Sequence, residues 1–133
     1  MSRFDSTPEE LLGLARDLLD RADPATAGLW PRASAHLGRQ AVELALDDLW
    51  VKKAPGVEES SARAQLICLP TYVEEEELAE RVNHVWWVLT RAGHHHPYEL
   101  APTAAELSGW IADAERVVEK ISSVAAESTE EAR

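Results

Sequence analysis

The segment from Pro31 to Ala54 limits the fold more than any other part of the chain. Leu37, Ala41, Val42, Leu44, Ala45, Leu46 and Leu49 recur there at helical spacing. On a helical wheel they cover an arc of roughly 200°, about twice what a helix with one neighbour needs. Such a helix must be buried on two sides. It is either a central bundle helix or one that also meets another subunit. The narrow polar stripe opposite carries His36, Arg39, Gln40, Glu43 and Asp47. Asp48 falls inside the apolar arc, where an unpaired carboxylate is costly, and Arg63 is a candidate partner for it.

Four more segments have helical patterns. Thr7-Pro8-Glu9-Glu10 combines a cap, a first-turn proline and two first-turn acids. Leu11, Leu12, Ala15, Leu18 and Leu19 follow, so helix one is expected over about 8–22, broken at Asp23-Pro24. A short linking turn or helix then carries Leu29 and Trp30. A third helix over about 59–69, with Ala62, Leu66, Ile67 and Leu69, is expected to stop at Pro70. The fourth begins after Thr71-Tyr72-Val73 with the acidic run Glu74 to Glu77, keeps a stripe of Leu78, Val82, Val85 and Leu89, and ends near Gly93. Thr103-Ala-Ala-Glu106 is a capping box. It opens a fifth helix over about 104–125, with Leu107, Trp110, Ile111, Ala114, Val117, Val118 and Ile121 inward.

No alternating pattern marks a strand, and short connectors favour antiparallel neighbours. The expected fold is all-α, an antiparallel bundle of about five helices. It forms one domain over 1–125, followed by a flexible tail over 126–133.

Composition narrows the functional classes. Asp and Glu outnumber Lys and Arg by 24 to 13, for a net charge of −11. That argues against sequence-independent coating of nucleic acid, which draws on excess positive charge, but leaves room for a local basic site. Ten of the thirteen cations are Arg, the side chain better suited to oriented recognition of carboxylate or phosphate. The single cysteine, Cys68, excludes an internal disulfide and a multi-Cys zinc site, and it reads as core packing. No apolar run approaches the ~20 residues that span a bilayer, and the first ten residues do not resemble a signal peptide. A cytoplasmic location without membrane contact is expected.

Chemistry concentrates at the end of the fourth helix. Arg91 is followed by His94, His95 and His96, then Tyr98 and Glu99. Three readings fit. One is a metal site, although adjacent histidines rarely reach one ion and no second ligand cluster stands out, so no metal or cofactor is expected. The second is a structural turn, with imidazoles capping helix carbonyls. The third is a nucleotide or phosphodiester site. On the wheel Arg91 points about 200° away from Leu89, to the side shared by His84 and Trp87. Trp87 and Arg91 form an i,i+4 pair, and a guanidinium over an indole contributes about 0.5–2 kcal/mol. An outward Trp more often marks a subunit contact. Trp86 turns toward the core stripe. Gln40 and Glu43 are positioned to approach the connector, Tyr98 to stack on a base or cap a helix end, and Asn83 to widen the polar surface.

The run Arg91-Ala-Gly-His-His-His96 resembles the motif of HEPN domains, an Arg followed after four residues by His. HEPN domains are helical nucleotide-binding and ribonuclease modules. The resemblance extends to Arg39-Gln-Ala-Val-Glu-Leu-Ala-Leu and to His94-His-His-Pro-Tyr-Glu-Leu-Ala-Pro-Thr103, in the manner of an actinobacterial branch, and covers about 30–125. It implies a homodimer in which motif residues of two copies form one cleft. Arg91 would hold the scissile phosphate and His96, or its neighbour His95, would shuttle a proton. His94, Tyr98, His84, Trp87, Gln40 and Glu43 would contact RNA or a nucleotide. The implied activity is metal-independent RNA cleavage leaving a 2′,3′-cyclic phosphate, as in a toxin or defence effector with a cognate antitoxin. The family usually has a polar residue directly after the Arg, where this chain has Ala92. That departure and the acidic charge favour the alternative, a non-catalytic helical dimer that binds a nucleotide, another ligand or a protein.

Overall fold

A computed structural model describes residues 6–20, 30–94 and 102–131. It is all-α among these residues, with helices α1 (Pro8–Asp20), α2 (Trp30–Lys53), α3 (Ala62–Tyr72), α4 (Glu76–Gly93) and α5 (Ala104–Glu131), and one 3-10 turn at Val57–Glu59. No helix among the described residues is long and apolar enough to cross a membrane.

Helix α2 is the axis of the bundle. It packs against α1, α4 and α5, while α5 also touches α1 and α4, and α3 lies against α4 and α2. Ala35, Ala41, Val42, Leu46, Leu49 and Trp50 are completely enclosed. The wide apolar arc is therefore satisfied within one chain, so it does not call for a second subunit. Small residues let the helices approach. A side chain at Gly38 would put its Cβ 2.7 Å from Ile111 Cδ1 on α5 and 3.1 Å from Leu89 Cδ1 on α4. Polar ties bind α1 to the same frame. Buried Ser34 Oγ donates to the Ala15 carbonyl at 3.2 Å, and Arg16 donates to Ser108 Oγ at 2.8 Å and to Glu115 Oε1 at 2.7 Å.

The inward stripes follow their helical spacing. Leu78, Val82, Val85 and Leu89 of α4 are buried, as are Leu107, Ile111, Ala114, Val117, Val118 and Ile121 of α5. Trp110 is half-buried and packs at the margin. The capping box forms reciprocally: Glu106 N–H donates to Thr103 Oγ1 and Thr103 N–H to Glu106 Oε1, each at 3.1 Å.

Several expectations need correction. Trp30 is the first residue of α2, not part of a separate linking turn or helix. Asp48 is exposed and pairs with Lys52 one turn on, at 3.2 Å, rather than being buried against Arg63. Helix α3 does not stop at Pro70. Its last turn runs on to Tyr72, closed by Val73 N–H donating to the Leu69 carbonyl at 3.2 Å. Leu69 is buried and Tyr72 packs edge-on to Trp50, with centroids 5.4 Å apart, so tertiary contacts hold this turn past the proline. Helix α5 continues beyond 125 to Glu131. The residues 126–131 include no Gly or Pro, and an established helix propagates through polar residues at little cost.

One polar group is central to the α2–α3 end. Fully buried Trp50 donates its indole N–H to Gln65 Oε1 at 3.0 Å, and Gln65 Nε2 donates to the Glu58 and Ser60 carbonyls at 3.3 and 2.9 Å. Replacing Gln65 by Leu strands a buried donor and two acceptors. We expect Gln65→Leu to lose roughly 2–3 kcal/mol in urea denaturation; an unchanged midpoint would show that these bonds add nothing.

Candidate functional site at the α2–α4 end

Three contacts define how α4 lies along α2: Glu43 against Trp86, Gly38 against Leu89, and His36 against Gly93. The two helices run antiparallel, which brings the polar stripe at the start of α2 to the C-terminal turn of α4. The result is a gathering of basic groups on an acidic protein.

Arg91 stands exposed on the last turn of α4 and makes no hydrogen bond or ion pair with the described residues. The helix ends where His94 N–H donates to the carbonyls of Thr90 and Arg91, at 3.1 and 3.2 Å. His94 is exposed, and its ring meets His36 edge-to-face, with centroids 5.6 Å apart and planes at 84°. Gly93 allows this. Its backbone is not left-handed, so it is not an αL cap. Instead, a Cβ there would lie 3.0, 3.1 and 3.3 Å from three atoms of the His36 ring. The missing side chain makes room for the imidazole.

His36 is held below the ordinary imidazole value. Partial burial is the main cause, followed by the positive charges of Arg39, His94 and Arg32; a hydrogen bond with the Gly93 backbone opposes them. The Nε of Arg39 is buried without a hydrogen-bond partner among the described residues.

The remaining candidates divide. Glu43 does reach α4, but its carboxylate accepts the Trp86 indole N–H at 3.1 Å and is engaged there. Gln40 is half-buried on the same stripe. Trp87 is exposed, and its ring contact is the edge of Trp86 at 5.3 Å, not a stack with Arg91. With Asn83 it lines a shallow groove between α3 and α4. His84, seven residues or about 10 Å before Arg91, lines a separate groove between α4 and α5 with Arg81 and Arg116. His95, His96, Tyr98 and Glu99 lie outside the described residues, as does most of the connector. Among the described residues no three His, Cys, Asp or Glu side chains converge as metal ligands. Cys68 is half-buried against the core.

The residue that sequence reasoning left out of the site is His36. It was visible only as one member of a polar helix stripe. The pairing of α2 with α4 turns it toward the histidine run. Compared with known protein families, curated proteins and solved structures, the chain matches none.

Two outcomes follow from this packing. Gly93→Ala should displace the His36 ring by a few tenths of an ångström and break its edge contact, moving the imidazole NMR signals of both His36 and His94; unmoved signals would contradict the close approach. Second, His36 binds a proton less tightly folded than unfolded. The stability it contributes is present above its unfolded value of 6.5 and is lost as pH falls through 6.5 toward its folded value. Melting temperature should therefore fall on mild acidification, and His36→Gln should flatten that slope. Equal slopes in both proteins would remove the inference.

Proposed function

We propose that this chain is a HEPN-like protein that cuts RNA without a metal ion, in a cleft completed by a second copy. The observation that carries the reading is the exposed Arg91 guanidinium on the final turn of α4, unpaired among the described residues and beside the start of the histidine run. A free guanidinium at a helix end can bind two non-bridging phosphate oxygens and stabilise the charge that grows on them. A histidine of the 94–96 run takes the proton of the ribose 2′-hydroxyl. The 2′-oxygen forms a bond to phosphorus, the bond to the 5′-oxygen breaks, and an imidazolium returns a proton to that oxygen. The products are a 2′,3′-cyclic phosphate and a 5′-hydroxyl. Trp87, exposed one turn before Arg91, is an apolar contact available to the second copy. A toxin or defence role with a cognate antitoxin in the cytoplasm is the matching biological setting.

A second reading is favoured by Ala92, which is 8% exposed. The position after Arg91, polar in the family it resembles, here packs into the core and cannot orient the site. In that reading the same basic end binds a nucleotide or a protein, and nothing is cut.

The test uses purified protein, mixed single-stranded RNA and a chelator, beside Arg91→Ala and the Arg91→Ala/His96→Ala double variant. We expect cleavage by the wild type and a loss of about a hundredfold or more in Arg91→Ala, with an unchanged melting temperature because Arg91 is exposed and unpaired among the described residues. Equal cleavage by all three proteins, or none by the wild type, would reject the nuclease reading. A monomer in sedimentation under assay conditions would reject the shared cleft.

A further inference from the structure

We propose that His36, Arg39 and His94 together form an oxyanion site, one that takes a phosphate group of a nucleotide or RNA. The site deepens the functional reading above, on which it rests for the identity of its ligand as phosphate. It assigns α2 a direct part in binding, although the sequence motif lies wholly on α4 and the connector.

Three observations converge. The first is shape. The His36 ring occupies the space left by the absent Gly93 side chain and meets His94 at 5.6 Å. An imidazole from α2 and one from the residue that closes α4 are thus held edge to face at one end of the bundle, the first half-buried and the second exposed.

The second is charge. His36 is surrounded by positive groups, Arg32 and Arg39 from its own helix and His94 from the end of α4. Among the described residues no carboxylate forms an ion pair or hydrogen bond with His36, Arg39 or His94. The nearest acid on the α2 stripe, Glu43, is one turn beyond Arg39 and is committed to the Trp86 indole. A positive field that disfavours a proton on His36 favours an anion beside it.

The third is an unmet donor. Arg39 Nε is buried and has no acceptor among the described residues. Buried N–H groups are nearly always paired, and Arg39 is only partly buried as a residue, so a small shift of its side chain would let a bound oxyanion supply the missing partner. The same anion would strengthen proton binding by His36, because each favours the other by the same factor.

The experiment titrates inorganic phosphate, and separately a nucleoside monophosphate, into the full chain while the imidazole NMR signals are followed. The expected result is that the His36 and His94 signals move together and saturate in the millimolar range or below, while those of His84, on the α4–α5 groove, stay fixed. Arg39→Gln and His36→Gln should each weaken binding about tenfold, the usual scale for losing one charge-assisted hydrogen bond. Signals that never move, that move in step with His84, or that keep their affinity in both variants would overturn the proposal. If one variant fails to fold, the other decides. Failure of RNA cleavage rejects the nuclease reading and leaves this titration standing. Failure of the titration with cleavage intact rejects only this site.

Discussion

The enclosure of α2 is the constraint on which the rest depends. A helix buried against three others must carry small residues where they approach, and Ala35, Gly38, Ala41 and Ala45 provide them. Close approach fixes the register. With Gly38 against Leu89 and Ile111, α4 has little freedom to slide along α2. Leu89 and Ile111 are fully buried, so a shift of one turn would replace apolar contacts by polar ones at a cost of about 1.5–3 kcal/mol per large side chain. The placement of His36 on Gly93 follows from that register and needs no strong interaction of its own.

Polar contacts are then added where the core has already settled the geometry. Ser34, Gln65 and Glu43 each satisfy a group on another element. Surface ion pairs such as Arg81–Glu77 contribute little, about 0.3–0.5 kcal/mol. The basic end of the molecule is therefore held by packing beneath it, and Arg91 and His94 stand exposed above that packing.

Much of this fold is legible in the sequence because its signals are local. The α4 stripe, the α5 stripe and the Thr103–Glu106 box each depend on residues within a few turns of one another. Errors arise where a distant contact overrides a local preference. Pro70 reads as a stop, yet Tyr72 is held by Trp50 from another helix. Asp48 reads as buried because a wheel cannot tell the margin of an arc from its centre. The arc of α2 admits either a second subunit or three internal neighbours, and only tertiary structure separates the two. Arg91 was legible as outward because α4 is strongly amphipathic. His36 was not, because its role depends on which helix lies beside it. The glycine just before the histidine run reads only as the place where α4 ends, whereas it also leaves space for a ring on another helix.

The reciprocal bonds between Thr103 and Glu106 set the origin of α5 by themselves. The preceding connector is thus relieved of any duty to specify where that helix begins. Insertions, deletions or substitutions there can accumulate over evolution without rotating Leu107 and Ile111 out of the interior. The chemistry of this end of the molecule can diversify while its architecture is inherited unchanged.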